Sequence, residues 1–216
     1  MSVFAFGDSH SILFVHFENI SKCSVKEHWL GFNTNLPITM HRFGQEGLDL
    51  LIAPITIGNG HQHFIPKVKD VIFYFYGYND IQQGIWKHTT SNTTIYQLID
   101  TLVKNYAIKL VENETRFGIK TVIPAVYPPP WSNTWHGTEV LGSTEEKYLA
   151  TVYMNKKLKE MCLERNFYFF DGIYKEIIDE HCKTVKKCYT PDGGHLHQDY
   201  TPVFHNIFEK FMETIN

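Results

Sequence analysis

Residues 71–80 read Val-Ile-Phe-Tyr-Phe-Tyr-Gly-Tyr-Asn-Asp, and this stretch decides the fold class of the 216-residue chain. The run 71–76 is apolar and aromatic throughout and stops at Gly77, which is typical of a buried strand that ends in a turn. A further, more polar strand is expected over residues 38–43. Three other short apolar runs have the same form as the first: residues 2–6, 120–126 and 168–170.

Between these runs the hydrophobic pattern changes to the period of a helix. One long helix is predicted by the apolar steps Ile95, Leu98, Ile99, Leu102, Val103 and Tyr106. The next begins with a capping box, Ser143 and Glu146. Its residues expected to point inward are Leu149, Val152 and Tyr153. The last begins with Thr201 as a cap and Pro202 in its first turn. Its apolar stripe comprises Phe204, Ile207, Phe208, Phe211, Met212 and Ile215.

Strands that alternate with helices predict an α/β fold with a parallel sheet covered on both faces. The length fits one domain, residues 1–216, with a core of its own. In parallel sheets, ligands bind beyond the carboxyl ends of the strands. This rule directs attention to the turns after Phe6 and Tyr76 and to loops near the C-terminus.

Composition excludes several classes of partner. The net charge is −3 and the basic residues are scattered, so no nucleic-acid partner is expected. The longest apolar stretch, residues 71–78, is too short to span a bilayer, so no membrane partner is expected. No secretion signal is visible. The four cysteines match no zinc or redox spacing. Free thiols in the cytoplasm are the interpretation, although Cys182 and Cys188 could form a bridge in an oxidising compartment.

Three short segments could carry chemistry. Gly7-Asp8-Ser9-His10 places a hydroxyl directly after the first strand, although a serine there could equally cap a helix. Asn79 follows the second strand and could donate its amide to an oxyanion, or could simply form a turn. Asp192 and His195 are separated by two glycines, so that the carboxylate can orient an imidazole, or they could form a surface turn.

The order of these segments resembles the SGNH hydrolases, also called the GDSL family. The first block is matched by residues 6–9, the Gly-x-Asn-Asp block by residues 77–80, and the Asp-x-x-His block by residues 192–195. The glycine of the remaining block is best matched by Gly44 and less well by Gly47. His10 replaces the usual leucine. The resemblance implies a three-layer αβα sandwich, flavodoxin-like, with a five-stranded parallel sheet.

The same resemblance implies a serine esterase that needs no metal or other cofactor. Ser9 is then the nucleophile, His195 the base and Asp192 its orienting carboxylate. The oxyanion hole comprises the N–H groups of Ser9 and Gly44 and the side-chain amide of Asn79. Transfer of the acyl group to a sugar or alcohol, as in an acyltransferase, would use the same site.

The substrate is expected to be a short acyl ester, such as an acetyl group on a carbohydrate, because no long apolar lid is evident. Trp131 and Trp135, in the loop 127–136, could stack on sugar rings, and Trp86 could assist. Packing of a proline-rich loop is the alternative for these tryptophans. Asp8 and His10, beside the nucleophile, are further candidates for substrate contact. The oligomeric state is left open.

Two other classes of protein compete. A metal-dependent phosphoesterase could use Asp8 and His10 as one pair of ligands and His195 and His197 as another. The intervening Gly-Asp-x-x-Asp and Gly-Asn-His-Asp/Glu segments of calcineurin-like phosphoesterases do not occur in this sequence. His61 and His63 form a His-x-His that could bind a metal or lie in a polar loop. A binding module that kept the fold without catalysis is the third possibility.

Overall fold

The computed structural model describes residues 3–7, 39–47, 55–57, 60–62, 66–132, 134–135, 138–139, 141–191 and 195–215. The strands are β1 (Val3–Gly7), β2 (Ile55–Ile57), β3 (Gly60–Gln62), β4 (Val71–Phe75), β5 (Lys120–Pro124), β6 (Thr134–Trp135), β7 (Thr138–Glu139), β8 (Tyr168–Phe170), β9 (Ile178–Asp179) and β10 (Thr184–Val185). The α-helices are α1 (Met40–Glu46), α2 (Ile95–Phe117), α3 (Thr144–Arg165), α4 (Gly172–Ile177) and α5 (Thr201–Ile215). Short π- and 3₁₀-helical turns occupy Asp80–Gly84, Ile85–His88 and Gln198–Tyr200.

Four strands form the central sheet in the order β1-β4-β5-β8, and each neighbouring pair is parallel. All four were predicted from their apolar runs, with ends that differ by two residues or fewer. The small pairs β2–β3, β6–β7 and β9–β10 are antiparallel. The α/β class and the parallel sheet are therefore confirmed, with four strands in the described sheet rather than five.

Helices cover both faces of this sheet. Phe73 and Tyr74 are neighbours on β4, and their side chains point to opposite faces. Phe73 packs against Phe208 of α5, with ring centroids 5.1 Å apart. Tyr74 packs against Phe43 of α1 at 5.3 Å, and its carbonyl accepts a hydrogen bond from the Tyr106 hydroxyl of α2 at 3.4 Å. The expected three-layer arrangement is thus present.

The strand predicted over residues 38–43 is wrong, because the described residues from Met40 onward form helix α1. The Thr39 hydroxyl caps this helix by accepting a hydrogen bond from the Arg42 N–H at 3.2 Å. Met40 and Phe43 are its buried residues, and their three-residue spacing suits a helix face. Gly47 ends the helix with a backbone φ of +64°.

The inward face predicted for α3 is shifted. Leu149 and Val152 are 45% and 42% exposed. Tyr153 is half-buried and packs against the Tyr96 ring at 4.7 Å. The buried residues of this helix are Lys147, Ala150, Thr151, Met154, Leu158, Met161 and Cys162. Two polar residues, one of them a lysine, share the buried face, so the apolar pattern alone placed the stripe incorrectly.

The C-terminal helix α5 follows its prediction more closely. Phe204, Phe208, Met212 and Ile215 are buried, and Ile207 and Phe211 pack partly buried against the core. Thr201 is already helical, and its hydroxyl donates to the Gln198 carbonyl. The prediction of Thr201 as a cap therefore misses the 3₁₀ turn that precedes the helix. Cys162, Cys182 and Cys188 are free thiols, whereas Cys23 lies outside the described residues.

Candidate active site

The strands of the parallel sheet end together at one edge, and the predicted site residues follow these ends. Gly7, the last residue of β1, pairs with Phe75, the last residue of β4. A Cβ atom on Gly7 would lie 1.9 Å from the Phe75 carbonyl oxygen, so only glycine fits. Ser9 comes two residues later, and Asp8, Ser9 and His10 all lie outside the described residues.

Gly77 makes the turn after β4. Its φ of +106° favours glycine, and a Cβ atom there would lie 2.8 Å from Val126 Cγ2 and 2.9 Å from Met154 Sδ. Glycine is therefore required two residues after the end of the strand. At Gly77 the backbone lies close to Val126, which follows β5, and to Met154 of α3.

Asn79 lies where the sequence predicts an oxyanion donor, four residues beyond the end of β4. It is half-buried and precedes the π-helical turn Asp80–Gly84. Its side chain makes no capping hydrogen bond to that turn. The amide is thus not used to cap the helical turn that it precedes, and its role as an oxyanion donor stays a prediction.

Asp80, the last residue of the Gly-x-Asn-Asp block, is 2% exposed. Its carboxylate accepts hydrogen bonds from the backbone N–H groups of Met40 at 2.8 Å and His41 at 3.2 Å. The start of α1 is thereby attached to the turn that carries Asn79. The sequence analysis missed this role, since nothing near Asp80 in the sequence identifies a helix start 40 residues away.

Gly44 does not lie in a position that supports its predicted oxyanion role. It is inside α1, where a backbone N–H serves the hydrogen bonds of the helix itself. A Cβ atom on Gly44 would lie 3.2 Å from Asn105 Cβ, so this glycine permits close packing of α1 on α2. The weaker candidate, Gly47, donates its N–H to the Phe43 carbonyl at 2.8 Å.

His195 is half-buried and lies in the segment that leads to α5. Asp192 lies outside the described residues, as Ser9 does. The proximity of Ser9, Asp192 and His195 therefore stays a prediction. The base of this segment is closed by a hydrogen bond from the His197 N–H to the Tyr189 carbonyl at 2.8 Å. The His197 imidazole Nδ1 lies 3.3 Å from the Asp199 carboxylate.

The side chain of Tyr189, whose carbonyl accepts this hydrogen bond, is held by contacts of its own. Its hydroxyl hydrogen-bonds the Glu176 carboxylate, and its ring meets that of Tyr200 edge-on at 4.6 Å. The hydrogen bond to Glu176, together with burial, raises the pKa of Tyr189 to about 12. Tyr189 therefore stays neutral and acts as a hydrogen-bond donor throughout the range in which an imidazole titrates.

The tryptophans proposed to stack on sugars differ in their surroundings. Trp131 is 37% exposed, and its indole N–H donates to the Thr190 carbonyl at 2.9 Å. The indole N–H of Trp86 donates to the Ile81 carbonyl at 2.6 Å, and a Cβ atom on Gly142 would lie 2.8 Å from its ring. Trp86 is thus a packing residue. The backbone of Trp135 belongs to β6, and its side chain is outside the described part.

A small apolar crevice lies at the same edge of the sheet, beside the Asn79 turn. It has room for about one water-sized group. It is lined by Phe75, Tyr76 and Tyr78 from the end of β4 and by Pro124, Ala125, Val126 and Tyr127 from the end of β5. The crevice itself therefore has no room for a long chain.

Within the described ranges, no group of three or more His, Cys, Asp or Glu side chains could hold a metal ion. The Asp8, His10 and His63 ligands of the competing metal hypothesis lie outside those ranges, and so does the side chain of His61. A separate finding concerns membranes: no described helix is both long and apolar enough to cross one.

No family model matches the chain, and no curated protein matches it by sequence. Solved structures do match. A Bacteroides fragilis protein assigned as an acylhydrolase has a TM-score of 0.64 at 16% identity, over 99% of this chain and 87% of its own. The acetyl xylan esterase AlAXEase has a TM-score of 0.57 at 13% identity, over 97% and 98%. The Axe2 acetylxylan esterase from Geobacillus stearothermophilus has a TM-score of 0.54 at 10% identity, over 97% and 92%.

The chain has the SGNH hydrolase fold. This conclusion depends on the shared architecture, since identities of 10–16% establish the fold and no more. It confirms the fold expected from the order of the motifs.

Proposed function

We propose that this protein is a serine esterase that hydrolyses short acyl esters, with acetyl groups on a carbohydrate as the substrate class. The placement of Asn79 carries the proposal: it follows the end of β4, which pairs with the end of β1, from which Ser9 follows. The likeness of the fold to acylhydrolases and acetylxylan esterases supports it. So does the order of Ser9, Asn79, Asp192 and His195 along the chain, which resembles that of the SGNH motifs.

In the proposed mechanism, Ser9 Oγ attacks the ester carbonyl while its proton passes to His195. Asp192 holds the imidazole in the productive tautomer and stabilises its charged form. Collapse of the tetrahedral intermediate breaks the ester bond, and His195 returns the proton to the leaving alcohol. A water molecule, deprotonated by His195, then attacks the acyl-enzyme and releases the carboxylic acid and free Ser9.

The developing oxyanion is stabilised by the Asn79 amide and the Ser9 N–H in this proposal. Gly44 is left out, since its N–H lies inside α1. Loss of one oxyanion donor typically lowers kcat about 100- to 1000-fold. Asn79→Ala is therefore expected to lose activity on that scale.

The small crevice beside Asn79 supports a short acyl group. We expect kcat/KM to fall as the acyl chain of an aryl ester lengthens from acetyl to butyryl to octanoyl, since the crevice has room for about one water-sized group. The carbohydrate part of the proposal is supported by the acetylxylan esterases that share the fold.

The test is hydrolysis of 4-nitrophenyl acetate by wild type, Ser9→Ala and Asn79→Ala, each with and without EDTA. We expect turnover that is insensitive to the chelator, absent in Ser9→Ala and strongly reduced in Asn79→Ala. A fluorophosphonate should add one mass increment, located on Ser9. Tyr153→Phe, which loses a hydroxyl contact with Asp100 between α2 and α3, serves as the control and should keep full activity.

Other outcomes would identify the competing functions. Turnover of 4-nitrophenyl phosphate that EDTA abolishes would replace the proposal with a metal-dependent phosphoesterase. Failure to turn over any ester, together with no fluorophosphonate adduct, would indicate a binding module. Acyl transfer to added xylose that outpaces hydrolysis would instead indicate an acyltransferase that uses the same serine.

A further inference from the structure

Asp192 and His195 lie between Tyr189 and His197 in the sequence. The two ends of this segment are joined by the hydrogen bond from the His197 N–H to the Tyr189 carbonyl. Tyr189 is 9% exposed, and its ring packs on Tyr200 and on Phe204 of α5. Tyr189, at the outgoing end, is therefore packed on Tyr200 and on α5, and the hydrogen bond joins the returning end to it. A second contact holds Thr190, the residue that follows Tyr189.

The proline-rich loop after β5 supplies this second contact. The Pro129 carbonyl accepts a hydrogen bond from the Val185 N–H at 3.0 Å. Two residues further along, the Trp131 indole donates to the Thr190 carbonyl at 2.9 Å. Residues 128–130 are three consecutive prolines, whose rings fix φ, so the arm that presents Trp131 is stiff.

The surroundings of Trp131 favour this anchoring role over an open platform for sugars. The Lys187 ammonium lies 5.1 Å from the centre of its ring, so a cation covers part of the aromatic surface. Thr190, whose carbonyl Trp131 binds, is 1% exposed. A buried carbonyl that loses its donor cannot easily find water instead, so the bond constrains the backbone at this point.

We propose that Trp131 is a positioning residue, which holds the outgoing end of the His195 segment through the Thr190 carbonyl. This inference rests on the proposed function for its catalytic consequence. Thr190 lies two residues before Asp192 and five before His195, so movement there shifts the imidazole relative to Ser9. A displacement of about 1 Å at a reacting group can lower turnover about 100-fold.

The test compares wild type with Trp131→Phe, which keeps an aromatic ring and removes the N–H donor. On 4-nitrophenyl acetate, which has no sugar, we expect kcat to fall about ten- to a hundredfold with KM nearly unchanged. Hydrogen–deuterium exchange should become faster in peptides that cover residues 186–197. Peptides from α2 should not change. Tyr153→Phe is the matched control, since it also removes one donor from an aromatic side chain, and it should alter neither kcat nor exchange in residues 186–197.

Several results would overturn the inference. Unchanged exchange in residues 186–197 would show that Trp131 does not hold the segment, whatever the activity. Faster exchange with unchanged kcat would show that the segment needs no such anchor for catalysis. A loss confined to acetylated xylo-oligosaccharides, with a raised KM, would make Trp131 a sugar-binding residue. If wild type hydrolyses no ester and binds no fluorophosphonate, the proposed function fails and the catalytic consequence with it, while exchange still decides whether Trp131 anchors the segment.

Discussion

The carboxylate of Asp80 illustrates how one residue of a motif can serve the fold. The carboxylate accepts hydrogen bonds from the N–H groups of Met40 and His41, and Met40 is completely buried. These two N–H groups lie at the start of α1 and have no partner within the helix itself. A carboxylate at this position also interacts favourably with the partial positive charge of the helix start. Asp80 therefore contributes to the stability of α1 and to the position of Asn79, its neighbour.

Removal of this carboxylate should destabilise the protein. We expect Asp80→Ala to lower the free energy of unfolding by about 2 kcal/mol, because two backbone donors lose a charged acceptor. Asp80→Asn, which keeps one acceptor oxygen, should lose about half as much. Urea denaturation followed by circular dichroism measures both.

Asp100→Ala is the matched control for this experiment. The Asp100 side chain is 49% exposed and accepts from the Tyr153 hydroxyl on the helical surface. Its removal should change the free energy of unfolding by less than about 0.5 kcal/mol. Equal stabilities of Asp80→Ala and wild type would contradict the capping role.

At the scale of one element, α3 shows how a local signal fixes where a helix begins. The Ser143 hydroxyl accepts from the Glu146 N–H at 3.2 Å, and the Glu146 carboxylate accepts from the Ser143 N–H at 2.8 Å. The hydrogen bond from the Ser143 backbone lowers the pKa of Glu146. Both halves of the predicted capping box are thus formed, and they mark the start of the 22-residue helix.

The contribution of this cap can be measured directly. Ser143→Ala should lower the free energy of unfolding by about 1 kcal/mol, since the Glu146 N–H loses its acceptor. Ser143→Asp should retain most of the stability because aspartate also caps helices. The urea midpoint reports both changes, and kcat should be unaffected in either variant. A stability for Ser143→Ala equal to that of wild type would mean that tertiary packing alone fixes the start of α3.

At the scale of the whole molecule, a lysine that is buried where α3 packs onto the domain makes the stability depend on pH. Lys147 is 1% exposed, and desolvation lowers its pKa from 10.5 to about 8. Below pH 8 the lysine is charged in both the folded and the unfolded chain, so the cost of burying the charge is present in full. Between pH 8 and 10.5 the folded chain has released this proton while the unfolded chain still holds it. The free energy of unfolding therefore rises with pH in this window.

The prediction is that Lys147→Met removes this rise. The stability difference between wild type and variant should be constant below pH 7 and should change in favour of wild type from pH 8 to 10.5, by at most about 1.4 kcal/mol per pH unit. Thermal unfolding of both proteins at half-unit intervals of pH measures it.

The comparison with Lys147→Met also removes the effect of Cys162. Burial raises the pKa of this thiol to about 12, so the unfolded chain loses that proton first and stability falls above pH 9 in both proteins. A pH-independent difference between wild type and Lys147→Met would show that the ammonium is not desolvated in the folded chain.

The fold was predictable from the sequence where the evidence is local. The four strands of the sheet are short apolar runs that end at glycine, proline or aspartate, and α2 and α5 repeat apolar residues with the period of a helix. The position of Asn79 followed from the same reasoning, since the carboxyl ends of parallel strands share an edge. The helix α1 was not predicted, because its seven residues contain too few apolar positions to reveal a period.

The amino-acid sequence was sufficient to predict the α/β class, the strands of the sheet, the capping box of α3 and the three motif segments that suggest an esterase. The folded structure was needed to show that Asp80 caps α1, that Gly44 packs a helix, that Lys147 is buried and that Trp131 binds Thr190. The physical reason is the distance along the chain. Asp80 and Met40 are 40 residues apart and Trp131 and Thr190 are 59 apart, so these partners meet only when the whole domain has folded. Hydrophobic periodicity and helix capping depend on residues that are only a few positions apart, so both can be recognised in the sequence before the tertiary contacts are known.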